Sequence, residues 1–220
     1  MSKWRRRTYR VVRYAFPGIV RDMLELCVQS NSALVKAGWP QSRRMRLPVG
    51  SALQPLPWYT YPAIRFLEPR VPQSARVFEY GMGNSTRWWS ERAASVECCE
   101  HDEAWFKRIS SSLPPNVSSY LHPTRSDAYI HAAAHAAAEI DILVIDGRRR
   151  VSCARNSLGR LSASGVVVWD NSDRSYYAPG YVHLIENGFA GRLDFWGMGP
   201  INVVEWCTSV FYKRDNCLGI

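Results

Sequence analysis

From residue 79 to residue 86 the chain reads Glu79-Tyr80-Gly81-Met82-Gly83-Asn84-Ser85-Thr86. Two glycines one residue apart suit a tight turn, because glycine enters backbone conformations closed to other residues. Thr86 stands where a dinucleotide-binding turn places its third glycine, so close approach of a pyrophosphate is not expected. An acid two places before the first glycine would oppose a phosphate and suit a cationic ligand. Two more acids follow at the ends of segments that read as strands: Glu100, with His101 behind it, and Asp127, in Ser126-Asp127-Ala128. The plain alternative for all three acids is helix capping, since carboxylates favour helix starts. Further on, Asp141-Ile142-Leu143-Val144-Ile145-Asp146-Gly147 and Gly165-Val166-Val167-Val168-Trp169-Asp170-Asn171 are apolar runs that end in oxygen ligands.

The acid and spaced glycines resemble the first motif of the class I S-adenosylmethionine (SAM)-dependent methyltransferases, with Ser85 in place of a third glycine. SAM carries an ammonium and a sulfonium and no phosphate, which agrees with an acid beside the turn. The resemblance implies that Glu79, Gly81, Gly83, Asn84, Ser85 and Thr86 contact the cofactor. It further implies Glu100 and His101 beside the ribose, where an ionised carboxylate accepts from both hydroxyls, and Asp127 and Ala128 beside the adenine.

Asp146, Asp170 and Asn171 are similar in placement to the metal-holding triad of the catechol-type O-methyltransferases. All three are hard oxygen ligands suited to Mg²⁺ or a similar ion, which can lower the pKa of a substrate hydroxyl. The catechol-type enzymes carry a catalytic lysine three residues after the first acid, where this chain has Arg149. Arginine stays protonated and is a poor base. The resemblance therefore leaves three readings: a metal activates the acceptor, Asp146 is the base, or Arg149 clamps an acidic substrate group. A solvated turn is the plain alternative for Arg148, Arg149 and Arg150. Pro55 to Pro62, Asp170 to Arg174 and Gly199 to Asn202 also resemble an uncharacterised bacterial group of SAM-dependent methyltransferases, over about residues 50 to 220.

These residues need a scaffold that gathers strand ends. Strands are predicted at 76–80, 96–100, 117–121, 141–146, 166–170, 192–196 and 208–213. Helices are predicted at 86–94, 102–112, 128–138, 151–162 and 181–187. Alternation of this kind predicts a Rossmann-like, doubly wound α/β fold with a mostly parallel seven-stranded sheet, whose ligands sit beyond the carboxyl ends of the strands. Upstream, Val11, Val12, Ala15, Ile19, Met23, Leu24 and Cys27 recur at spacings of three and four, with Pro17 and Gly18 dividing any helix. The predicted organisation is a basic helical appendage over 1–46, a proline-rich surface connector over 47–72 and the methyltransferase domain over 73–220.

Composition bounds the rest. The 220 residues, 46% hydrophobic and 21% charged, make a core that needs neither disulfide nor metal to fold, and disordered, collagen-like and coiled-coil chains are excluded. Six cysteines without a C-x-x-C pair read as reduced thiols. No apolar run is long enough to span a membrane and no apolar signal core follows the basic start, so a cytoplasmic protein is expected. Residues 1–75 hold 13 basic against 3 acidic side chains, net +10, whereas residues 76–220 are close to neutral at −1. The expected reaction is therefore methylation of an oxygen on a small molecule, sugar or glycan. An RNA methyltransferase with a basic arm is the near rival. A non-catalytic module docking on RNA or an anionic membrane through residues 1–13 is the distant one. Trp58, Tyr59 and Tyr61 are expected to pack the connector, with one or two lining the crevice. The loop from Trp196 to Trp206 is a candidate for acceptor specificity. His131 and His135 read as surface or packing residues.

Overall fold

The computed structural model describes residues 18–220. After α1 (Gly18–Val28), α2 (Ala33–Ala37), α3 (Trp39–Met45) and α4 (Tyr61–Leu67), strands and helices alternate: β1 (Arg76–Tyr80), α5 (Asn84–Ser90), β2 (Ser95–Glu100), α6 (Glu103–Ser110), β3 (Val117–Leu121), α7 (Asp127–Ile130), β4 (Ile140–Ile145), α8 (Arg150–Ser157), β5 (Leu161–Asp170), α9 (Ala178–Glu186), β6 (Gly191–Gly197) and β7 (Trp206–Tyr212). The sheet order is β3-β2-β1-β4-β5-β7-β6, and β7 alone runs antiparallel to its neighbours. The chain winds outward from β1 to β3, then returns to place β4 on the other side of β1. That reversal opens a crevice above the carboxyl ends of β1 and β4.

Side chains of a strand alternate between its two faces, and the core divides accordingly. Phe78, Tyr80, Leu143, Ile145, Val167 and Trp169 face Tyr129, Cys153, Ala154 and Leu184 on one side. Val77, Ile142, Val144, Val166 and Val168 face Trp88, Trp89 and the segment from Leu56 to Leu67 on the other. Glu79 is in phase with Val77, so its carboxylate enters the second layer, beneath α5.

The proline-rich stretch differs from its expectation as a surface connector. Thr60 caps α4 by accepting from the Ala63 amide, and Pro62 falls in the first turn, where its missing N–H costs nothing. Ala63, Ile64 and Leu67 are buried against the sheet, with on the order of 2 kcal/mol each for Ile64 and Leu67. The loop from Trp196 to Trp206 holds the N-terminal elements in place. Trp39 Nε1 donates to the Asn202 carbonyl at 2.7 Å and the Tyr61 amide to that of Met198 at 2.8 Å. None of the loop residues is among those that line the crevice, and these contacts give the loop a structural role.

Two helices are shorter than expected. The alanine-rich segment makes only α7 and a 3₁₀ turn at Ala132–His135. Helix α8 ends at Ser157, because β5 starts early, at Leu161. The helical appendage is present over 18–45, with α1 over Gly18–Val28, and the expected break at Pro17 lies outside the described residues. The expectations for residues 1–13 lie outside the described residues. Among the described residues no helix is long and apolar enough to cross a membrane, and all six cysteines are free thiols.

Candidate functional site

The turn after β1 is built for a ligand to approach its backbone. Gly81 has φ +115°, a value that favours glycine, and its amide donates to the Cys99 carbonyl at 2.9 Å. The Gly83 amide donates to Thr86 Oγ1 at 3.0 Å, and that hydroxyl donates to Glu79 Oε2 at 2.5 Å. Trp105 Nε1, from α6, donates to the Met82 carbonyl at 2.6 Å and fixes the turn from the β2 side. Trp105 had no signal in the glycine pattern; its place follows from Asp102, which caps α6 and accepts from the Trp105 amide.

Glu79 is wholly buried, and its Oε1 has no hydrogen-bond partner among the described residues. Burial pushes its carboxyl up to about 7, opposed by the nearby Ser85 and Thr86 hydroxyls and helped by the charge of Glu100. A buried acceptor oxygen without a donor is costly, so this oxygen is poised for a cation or a donor from outside the chain. At the next strand end, Glu100 Oε1 accepts from the amides of His101 and Asp102 at 2.6 and 2.8 Å. Its Oε2 has no partner among the described residues, and the side chain lines the crevice. These amides precede the first helical residue and Asp102 is the cap of α6, so Glu100 braces the turn after β2 with one oxygen only.

The crevice is a cleft of about 540 Å³. Gly81, Gly83, Asn84, Ser85, Glu100, His101, Asp146 and Asn171 from the sequence reading line it, with Glu79 and Thr86 just below. Its outer wall comes from the N-terminal third: Arg46, Leu47, Pro48 and Trp58. The Asn84 amide group ties this wall down by donating to the Pro48 carbonyl at 2.7 Å. Of the three aromatic residues in the proline-rich stretch, Trp58 lines the cleft and Tyr59 is fully buried beneath it. Burial, with the charges of Glu79 and Asp146 nearby, holds the Tyr59 phenol well above its ordinary value, so it stays neutral.

Asp127, Ala128, Arg149 and Asp170 are not among the residues that line this cleft. Asp127 is 81% exposed and lies 3.7 Å from Arg149. The alanine-rich segment forms only four residues of α-helix here, Asp127–Ile130. Arg149 takes a left-handed backbone, φ +47°, and spends its guanidinium on the Thr124 carbonyl at 3.1 Å. It fastens the turn after β3 to the start of α8 and has no place beside Asp146.

Arg150 has that place. Only 7% exposed, it donates to Asp146 Oδ1 at 2.9 Å, to the Asp146 and Gly147 carbonyls at 2.9 and 3.0 Å, and to the Asp170 carbonyl. This one fork bridges the carboxyl ends of β4 and β5. Desolvation still raises the Asp146 carboxyl above its ordinary range, with Asp170 and Glu79 adding to the effect and Arg150 opposing it.

The expected metal triad does not fit. Asp170 is 4% exposed, and its Oδ1 accepts from Trp206 Nε1 at 3.0 Å and Thr208 Oγ1 at 2.7 Å. Thr208 Oγ1 in turn accepts from the Thr60 amide at 3.1 Å, so Asp170 anchors the N-terminal segment on the sheet. Asn171 has φ +53° and lines the cleft apart from it. The positive charge that Asp146 needs is already supplied by Arg150. Among the described residues no group of three His, Cys, Asp or Glu could hold a metal ion.

No family model and no curated protein matches the sequence. Solved structures do match the fold. A precorrin-6y C5,15-methyltransferase from Geobacter metallireducens is 13% identical with TM-score 0.54, over 69% of this chain and 87% of that one. An rRNA methylase from Streptococcus thermophilus is 14% identical with TM-score 0.51, over 70% of this chain and 97% of that one. A spermidine synthase from Thermotoga maritima is 15% identical with TM-score 0.50, over 67% of this chain and 55% of that one. The chain therefore has the Rossmann-like fold of the class I SAM-dependent methyltransferases. Since a synthase has it too, the reaction must be argued from the site.

Proposed function

We propose that this protein is a SAM-dependent methyltransferase acting on an oxygen nucleophile of a small molecule, sugar or glycan. The observation that carries the reading is the orphaned, buried Glu79 Oε1 under the glycine turn, with the unpaired Glu100 Oε2 at the next strand end. The first suits a ligand that brings a cation, and the second one that brings hydroxyl donors. Glu79 and the Gly81–Gly83 turn would hold the methionine end of SAM, and Glu100 the ribose. Asp127 remains the sequence candidate for the adenine, and His101 and Trp105 line the cleft on the β2 side. When bound, SAM supplies an electrophilic methyl group on a sulfonium.

Asp146 is the candidate base. Arg150 occupies Oδ1, whereas Oδ2 has no hydrogen-bond partner among the described residues and the side chain borders the cleft. In the proposed reaction the acceptor hydroxyl would yield its proton to Asp146 Oδ2 as its oxygen bonds to the methyl carbon, the carbon–sulfur bond breaking at the same time and the neutral thioether leaving. Burial raises the carboxyl and so strengthens it as a base, while Arg150 keeps it oriented. The aromatic wall at Trp58 and Trp105 favours displacement in line by excluding water.

Titration calorimetry with SAM and with S-adenosylhomocysteine tests the cofactor directly. Micromolar binding is expected, and no heat at millimolar ligand would sink the reading. Turnover of any acceptor should be the same with and without chelator.

A further inference from the structure

The cleft that borders Asp146 continues into a smaller one of about 400 Å³, lined by Gly147, Arg148, Arg149, Arg150, Val151, Ser152, Arg174, Tyr176 and Tyr177. Four of these nine residues are arginines and none is an acid. Gly147, Arg148, Arg150 and Arg174 line both clefts, so the smaller one opens beside the candidate base. We infer that it is the acceptor subsite and that the acceptor is a small molecule carrying an oxyanion, a carboxylate or a phosphate. This rests on the methyltransferase reading of the main cleft.

Three observations carry the inference. Arg149 and Arg150 are paired to Asp127 and Asp146, but Arg148 and Arg174 are exposed and have no carboxylate within salt-bridge distance among the described residues. The Arg174 guanidinium is placed by the Tyr176 hydroxyl at 3.2 Å, and Tyr176 packs edge-on to Tyr177 at 4.5 Å. This leaves a rigid aromatic ledge beside an open fork, and a fork matches carboxylate and phosphate oxygens in pairs. Helix α8 also opens on this cleft, through Val151 and Ser152, with no side-chain cap and no acid in its first turn. Its first amides therefore lack protein partners of the capping kind, and they favour an anion in the same place.

The main cleft shows the same bias. Six arginines line it, Arg46, Arg87, Arg108, Arg148, Arg150 and Arg174, against two acids, Glu100 and Asp146. The near-neutral total over residues 76–220 conceals this local field. A small acceptor fits better than a polynucleotide, because the uncapped helix start and the two free guanidiniums converge on a single small cavity.

Calorimetry with S-adenosylhomocysteine already bound, titrating benzoate in one arm and inorganic phosphate in another, distinguishes the two anion sources. One of them is expected to bind at millimolar concentration or better. The double variant Arg148→Ala, Arg174→Ala is expected to weaken that binding by about tenfold or more at saturating S-adenosylhomocysteine, with the melting temperature unchanged. Absence of binding by both anions, or equal binding by wild type and double variant, would overturn the inference. So would a third arm in which a single-stranded oligoribonucleotide binds and the double variant abolishes it, since the site would then serve a polynucleotide. If S-adenosylhomocysteine itself does not bind, the methyltransferase reading falls. The anion arms are then read on the ligand-free protein, where the same comparison of wild type and double variant decides the subsite alone.

Discussion

Glu79 and Arg150 carry opposite kinds of buried charge, and each makes a sharp expectation. Glu79 sits at about 7 where an ordinary glutamate sits near 4.5, so between those values the folded protein holds a proton that the unfolded chain has lost. Unfolding free energy should therefore fall as pH rises through that window, by about 3 kcal/mol for this group. Asp146 and Asp170 are raised by burial and push in the same direction. Denaturant melts at pH 5 and pH 8 read the slope, and Glu79→Gln should flatten it. A ligand ammonium placed beside Glu79 reverses the preference, because it favours the ionised carboxylate. Affinity for S-adenosylhomocysteine should climb between about pH 6 and pH 8, by up to about tenfold per unit below 7, with a proton released on binding. Calorimetry in two buffers of different ionisation heat counts that proton. At Arg150 the guanidinium satisfies one carboxylate oxygen and three carbonyls at once. Arg150→Ala should cost about 3 kcal/mol or more, read by urea unfolding, because it strands those acceptors. The run Arg148-Arg149-Arg150 was visible in the sequence, but the choice of Arg150 over Arg149 was not. It depends on the left-handed turn at Arg149, which swings one guanidinium toward α7 and the next toward Asp146.

At the scale of elements, the proline-rich stretch is the part most changed by the structure. Its prolines break regular hydrogen bonding, as a surface connector would require, yet Leu56, Tyr59, Ile64 and Leu67 face the sheet. The reason is that Thr60 supplies a cap and Pro62 starts a helix, which leaves the next apolar residues on one side. The stretch is held by a relay from the Thr60 amide to Thr208 Oγ1 and on to Asp170 Oδ1. Thr208→Val keeps the shape and removes both bonds. It should cost about 2 kcal/mol and speed limited proteolysis between residues 47 and 59, as followed by mass spectrometry. Asp170 itself illustrates a limit of reading strand ends. Its position after β5 is where a metal ligand would stand, but a side chain at a strand end can point to the crevice or to the neighbouring strand. The antiparallel insertion of β7, which brings Trp206 and Thr208 alongside, decides for the latter.

At the scale of the whole molecule, the charge has two separate locations. One is the N-terminal third, where Lys3, Arg5, Arg6, Arg7, Arg10 and Arg13 precede α1. On α1, Ile19, Met23 and Leu26 are exposed at helical spacing. If this arm is the element that meets polyanions, deletion of residues 1–13 should abolish salt-sensitive binding to anionic vesicles and leave S-adenosylhomocysteine affinity unchanged, as vesicle sedimentation and calorimetry would show. The other location is the cleft itself, where arginines scattered from Arg46 to Arg174 converge. The first is legible by counting along the chain; the second is not, because residues far apart in sequence make one field only after folding. The same division holds for the protein at large. Sequence alone determined the seven strands, their alternation with helices, the glycine turn and the acids at 79, 100 and 146, since periodicity and turn chemistry are local properties. Tertiary structure decided that Asp127 and Arg149 do not line the cleft, that Asp170 is a brace, and that Trp105, Arg150 and Arg174 belong to the site. Those outcomes depend on which way a strand end or helix start directs its side chains once its neighbours are packed, and no window of sequence contains those neighbours.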